Sequence, residues 1–157
     1  MTPQLLKDSD EAEKVIQFLC GSYAFHWQMT DADKVSIRKR VMNSLDVTKD
    51  TTYWYLKNSE GEVVGAGALA AIDDTNDGYY LGWFAVHAKH RKQGLGRIII
   101  EAIEQSARAK GGRFITIDTG DNNLAVSFYE KMGYEKVGFI PNYYSEGVSK
   151  IVLYKKL

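Results

Sequence analysis

The chain has one cysteine, Cys20, and two prolines, Pro3 and Pro141, in 157 residues. A lone thiol cannot close an intrachain disulfide, so the fold must stand on its core, and the composition suits a reducing compartment. Cys20 lies among Val15, Ile16, Phe18 and Leu19, a setting for a core thiol rather than a nucleophile. Net charge is lacking as well, with 20 Lys and Arg against 20 Asp and Glu. That balance gives no global attraction to nucleic acid or to an anionic membrane, and neither is expected as a partner. No apolar run is long enough to span a bilayer and no signal or transit peptide is evident, so the expected location is cytoplasmic. Repeats, low-complexity tracts and Pro/Ser-rich linkers are also missing. Residues 1–157 therefore read as a single domain, long enough to bury a substantial core without staples.

Against this neutral background one basic stretch stands out, His90-Arg91-Lys92-Gln93-Gly94-Leu95-Gly96-Arg97. Before it, Tyr79 to Val86 has the aromatic and β-branched composition of a strand. After it, Leu95, Ile98, Ile99, Ala102, Ile103 and Ala107 recur at helical spacing, and Gly111-Gly112 supplies the stop. Two glycines and several cations thus fall where a strand turns into a helix. Helix N-termini present free N–H groups and partial positive charge, a ready seat for phosphate. Gly94 and Gly96 lack the Cβ that would hold a pyrophosphate away. An ordinary tight turn with a solvated basic tip is the plain alternative. The stretch is not a Walker A loop, because GxxxxGK[ST] is absent, and Ile99 stands where a dinucleotide fingerprint needs its third glycine. Val63 to Ala70 does satisfy G-x-G-x-x-A. Asp73 to Gly78 follows too soon for the helix that fingerprint requires, so small residues in a closely packed strand explain these glycines better.

The remaining elements follow in order. Residues 1–7 read as a short strand. A helix capped by Asp8 or Ser9 carries Ala12, Val15, Ile16 and Leu19 on its apolar face and ends near Gly21. A second starts at Thr30, with Asp33 at capping-box spacing, and runs to about Leu45. Residues 51–56 and 62–72 form an antiparallel hairpin across the turn at Asn58 to Gly61. Strands at 113–118, 134–140 and 149–154 follow, with a helix from Asn122 or Asn123 to Met132 ended by Gly133. The order β-α-α-β-β-β-α-β-α-β-β implies an α/β, mixed α+β fold, a mixed sheet of about seven strands flanked by about four helices.

Arg91-x-x-Gly94-x-Gly96 resembles the R/Q-x-x-G-x-G/A signature of the GCN5-related N-acetyltransferases (GNAT). Asn122-x-x-Ala125-x-x-Phe128-Tyr129-Glu130-Lys131-Met132-Gly133-Tyr134 resembles that family's second signature, N-x-x-A-x-x-[LF]-Y-E-K-x-G-[FY]. The resemblance reaches from about Val63 to the C-terminus and implies a sheet that splays between its fourth and fifth strands. It implies acetyl-CoA as cosubstrate, with no metal. Pyrophosphate would be held by backbone amides of Arg91, Lys92, Gln93, Gly94, Leu95, Gly96 and Arg97. Lys89, Lys92 and Arg97 are candidates for the ligand's 3′-phosphate or for solvated surface roles. Phe84, Ala85 and Val86 would pair with the pantetheine arm, and Asn122 would hold a pantetheine amide, serve as an N-cap, or both.

Tyr129 stands where the family places the donor to the departing thiolate. A phenol near pKa ~10 facing a thiol near ~8.5 makes full transfer uphill by roughly 2 kcal/mol. Tyr129 must therefore have its pKa lowered or act as a hydrogen-bond donor to developing charge; a core tyrosine beside Phe128 is the bland alternative. No carboxylate lies on the fourth strand, which leaves Asp118, His87 or water as general base. The resemblance implies an acceptor pocket lined by the segment joining the first two helices and by the last hairpin, hence Tyr23, Phe25, His26 and Trp27, with Trp83, Tyr143 and Tyr144, rings suited to a cation or an apolar amine; core packing or a homodimer seam would also explain such rings. The expected function is acetyl transfer from acetyl-CoA to a primary amine of a small molecule, by direct attack in a ternary complex. Asn142-Tyr143-Tyr144 resembles ribosomal-protein N-terminal acetyltransferases, so a peptide or protein α-amine is an alternative acceptor. A non-catalytic acyl-CoA-binding or sensing module is the rival of another class.

Overall fold

The computed structural model describes residues 1–157. Its first elements are β1 (Gln4–Leu5), α1 (Ser9–Cys20), α2 (Asp31–Asn43) and the strands β2 (Thr51–Lys57), β3 (Val63–Ala71) and β4 (Gly78–Val86). A single 3₁₀ turn at Ala88–His90 leads to α3 (Leu95–Ala109), β5 (Phe114–Gly120), α4 (Val126–Lys131), β6 (Glu135–Ser145) and β7 (Val148–Lys156). Local chemistry sets the helix starts. The Asp8 side chain accepts from the Glu11 amide at 2.9 Å, and Thr30 and Asp33 close the capping box that their spacing predicts. No helix is long and apolar enough to cross a membrane.

All seven strands join one sheet in the order β1-β2-β3-β4-β5-β7-β6. Only β4 and β5 pair in parallel, with α3 as their crossover. β7 returns between β5 and β6, antiparallel to both, so β6 forms an edge. Past a register shift between Val63 and Gly65, strand alternation divides β3 between two cores: Ala66 and Ala68 face α1 and α2, whereas Leu69 faces α3. Gly65 and Gly67 lie under α3. A Cβ on Gly65 would come within 2.7 Å of Ile99 Cδ1, and one on Gly67 within 2.9 Å of a Phe84 ring carbon. Close packing of α3 on the sheet therefore accounts for the G-x-G-x-x-A pattern, as the sequence reading holds.

Three boundaries differ from the sequence reading. β1 is only two residues long, and the final hairpin extends to Ser145 and Val148. α4 begins at Val126 rather than at Asn122 or Asn123. The Asn123 side chain accepts from the Ala125 amide at 2.9 Å and donates to the Thr119 hydroxyl at 2.7 Å. That local turn competes with helix and holds residues 122–125 outside it.

One charge cluster ties α3 to the second half of the sheet. Glu104 is 4% exposed and accepts two bonds from Lys155 Nζ at 2.7 and 2.8 Å, while the same ammonium donates to the Met132 carbonyl at 2.7 Å. Removing one partner of a buried pair strands the other charge. Glu104→Ala should lower the free energy of unfolding by about 3 kcal/mol, read as a lower denaturant midpoint at unchanged m-value.

Candidate active site

β4 and β5 pair only at Gly78–Phe114, Tyr79–Ile115 and Tyr80–Thr116, and then part. The parting begins where β4 bulges: Gly82 pairs with Ala68 and Ala85 with Ala66, so Trp83 and Phe84 together oppose Gly67. Trp83 takes a left-handed φ of 34°. A bulge of this kind bends the strand and raises its twist. Past it, β4 keeps only β3 as a partner, which leaves main-chain groups of Trp83 to Ala85 free on the side facing the gap. Val86 is partly engaged. The His87 amide points to the Val64 carbonyl of β3, so the Val86 carbonyl points the other way, where Arg91 Nε donates to it at 3.0 Å.

The glycine loop sits at the end of this free edge. Lys92 and Gly94 have φ of 61° and 82°, a left-handed course that brings consecutive amides to one side. The N–H groups of Lys92, Gln93, Gly94, Leu95, Gly96 and Arg97 donate to no protein acceptor, and they crown the positive end of the 15-residue α3. Arg91 is engaged within the protein, and its amide donates to the Ala88 carbonyl at 3.5 Å. Its guanidinium turns inward to the carbonyls of Val86 and Ala24, the latter at 2.9 Å, and so braces the loop against β4 and the α1–α2 connection. Among the flanking cations, Arg97 lies 3.8 Å from Glu101.

Gly96 links the loop to the second motif. A Cβ there would meet the Phe128 ring at 3.1 Å and the Phe84 ring at 3.4 Å; those two rings stack 6.0 Å apart, 1° from parallel. Tyr129 packs 6.0 Å from Phe84 and 5.6 Å from Phe128. It is 4% exposed and lines the cavity that fills the gap. Burial alone pushes its phenol well above the ordinary value. That direction is opposite to the lowering that full proton transfer to a thiolate would need. Asn122 is exposed at the same cavity, and the turn-capping bond belongs to its neighbour Asn123.

The cavity measures about 1110 Å³. Phe25, His26, Trp27, Trp83 and Tyr144 line it, as the sequence reading places them. Tyr23 and Tyr143 do not: Tyr23 packs 5.0 Å from the His87 ring, and Tyr143 receives the Lys150 ammonium 4.6 Å above its face. Asp118 lines the cavity but is ion-paired with Lys150. Burial draws that ammonium down, and the Asp118 carboxylate outweighs it and lifts its pKa. His87 lies away from the cavity, where its Nδ1 accepts from the Lys89 amide at 3.2 Å. Burial, followed by the charges of His90, Lys89 and Arg91, lowers its pKa. The wall also includes Asp33, Arg40 and Tyr80, which sequence reasoning missed. Asp33 carries a capping signal that conceals it, and Arg40 looks like any cation on a polar helix face.

Residues 12–134 match the family described as Acetyltransferase (GNAT). Among curated proteins, the chain is 31% identical over 102 residues to N-acetyltransferase 8 of Homo sapiens, covering 59% of this chain and 45% of that protein. The chain spans about half the length of the curated relatives it matches. Among solved structures it resembles an aminoglycoside 6′-N-acetyltransferase complexed with coenzyme A (TM-score 0.79, 19% identity, 99% of this chain and 97% of that one). It also resembles the ribosomal-protein-S18-alanine N-acetyltransferase of Escherichia coli (TM-score 0.74, 15% identity, 99% and 94%). These two likenesses establish the fold.

The loop geometry makes a paired prediction. Gly94→Val places a β-branched residue in a left-handed conformation and should cost about 1–2 kcal/mol, although no atom lies within 4 Å of the added Cβ. Lys92→Gly should relieve the same kind of strain and stabilise by up to about 1 kcal/mol. Equilibrium denaturation of both variants checks the pair.

Proposed function

The chain belongs to the acetyltransferase (GNAT) family, and on that premise we propose that it is an acetyl-CoA-dependent N-acetyltransferase acting on a primary amine of a small molecule in a ternary complex. The observation that carries this reading is the run of unpartnered amides from Lys92 to Arg97, adjoining a strand edge that the bulge leaves free. A pyrophosphate needs several converging donors and no intervening Cβ, which Gly94 and Gly96 supply. The extended pantetheine arm needs an open strand edge, which Trp83 to Ala85 offers, and an amide partner, for which Asn122 is free. Acetyl-CoA, when bound, supplies the thioester carbonyl that the amine attacks.

This chain's residues then have distinct tasks. The amides of residues 92–97 anchor the phosphates and set the depth to which the thioester reaches. Phe84 and Phe128 keep water from the gap. The Tyr129 hydroxyl donates a hydrogen bond to charge developing on the leaving sulfur and keeps its proton, because burial makes ionisation costly. The acceptor enters from the aromatic side of the cavity. With Asp118 tied to Lys150 and His87 outside, the amine's proton leaves through water. That route is easier for an α-amine near pKa ~8, about a tenth neutral at pH 7, than for a lysine-type amine near ~10.4. This arithmetic, with the likeness to a ribosomal-protein alanine acetyltransferase, favours a peptide α-amine as the second reading.

Tyr129→Phe separates an enzyme from a binding module. Loss of a donor made only to developing charge should lower kcat on the order of a hundredfold and leave the dissociation constant for coenzyme A within about twofold. Thiol release with an amine panel and calorimetry with coenzyme A read the two quantities. A wild-type chain that binds coenzyme A and acetylates no amine would be a sensing module.

A further inference from the structure

Beside the main cavity lies a second one, of about 310 Å³, between α2 and strands β2 to β4. The two are continuous, since Ser36, Arg40, Tyr80 and Gly82 line both. Lys39, Asn43, Thr51 and Tyr53 complete the polar wall of the smaller one, over a floor of Ala68 and Ala70. Its chemistry is one-sided. Two cations and three hydroxyl-bearing side chains face it besides Ser36, and no carboxylate does. Lys34 and Arg38, on the same helix, are paired with Asp31 and Glu13. Lys39 and Arg40 have no acidic partner, and the side-chain bond Arg40 makes is to the Tyr80 hydroxyl, with its guanidinium 5.5 Å from that ring's centre.

The buried end of this cavity holds an independent sign of a missing partner. Tyr53 is fully buried, lines the cavity, and its hydroxyl has no hydrogen-bond partner. Buried polar groups are rarely left unmet, and an orphan calls for an explanation. Here the orphan donor and two unpaired cations converge on one small space, the arrangement that receives an anion.

We propose that the second cavity receives an anionic group, a carboxylate or a phosphate, carried by the amine acceptor itself. The proposal rests on the acetyltransferase reading and names its substrate class: an amine whose acid lies several bonds away from the nitrogen. The spacing follows from the strand. Gly82 lines both cavities and Phe84 packs beside Tyr129 at the gap, two residues on, at most about 7 Å along β4 because the bulge between them shortens the strand. Arg40, at the junction, presents a planar fork suited to either anion, and the Tyr53 hydroxyl donates from below.

The test is calorimetry on the full chain saturated with coenzyme A, which keeps the probes off the glycine loop. The probes are ω-aminohexanoate, ω-aminohexanamide and an aminoalkyl phosphate of matched length. An acid should bind at least about tenfold more tightly than the amide, and Arg40→Gln with Lys39→Gln should remove most of that advantage. The preferred acid identifies the group. Equal affinity for acid and amide, or a preference that survives both substitutions, overturns the anion site. Thiol release from acetyl-CoA is followed in parallel. Preferential binding without acetylation would leave the anion site standing and overturn the enzyme reading. Acetylation of amines regardless of any acid group would do the reverse.

Discussion

The structure depends on the parting of β4 from β5. A parallel pair could zip along its full length, and here it stops after Tyr80–Thr116. The bulge at Trp83 and Phe84 turns β4 aside, and past Thr116 β5 keeps only β7, on its other edge, as a partner. One sheet thereby becomes two blades sharing a root. The gap has free main-chain groups on one edge, the aromatic α1–α2 connection on another side and Tyr129 in its wall. The glycine loop, Asn122, Tyr129 and the second cavity all border that gap or continue from it.

The glycine loop and the second motif are one physical unit. Gly96 is in the first turn of α3 because any Cβ would strike the Phe84–Phe128 stack. That stack in turn holds Tyr129 in place. A change in either motif is therefore felt by the other through ring contact, which explains why chain segments some thirty residues apart read as two halves of a single pattern. Arg91 extends the unit outward: its side chain, spent on the Val86 and Ala24 carbonyls, fixes the loop at the point where the unpartnered amides begin.

Much of the fold was legible in the sequence, for identifiable reasons. Helical periodicity in α3, the Thr30–Asp33 box and strand alternation are short-range signals, and they place their elements to within a few residues. The glycines of β3 are legible as packing residues because the acidic turn after them leaves no room for a helix. The late start of α4 was not legible, since an asparagine turn and a helix N-cap use the same residue types. The place of β7 between β5 and β6 is a long-range choice that no local pattern encodes. In the site, the loop and Tyr129 were visible because motif residues carry them. Arg40, Tyr80 and the orphaned Tyr53 were not, because a cation with no acidic partner, the hydroxyl it bonds across the cavity and a buried hydroxyl with no partner are displayed only by the folded arrangement.

The central claim is that the amides from Lys92 to Arg97 seat the pyrophosphate of acetyl-CoA. The most direct measurement is thermal melting with acetyl-CoA, ATP and NAD, each in large excess. A ligand at a hundred times its dissociation constant adds about 2.7 kcal/mol, which for a chain of this size is a rise of roughly 5 to 10 °C. The account predicts that rise with acetyl-CoA and little with the other two. No rise with acetyl-CoA, or a larger one with ATP, would contradict it.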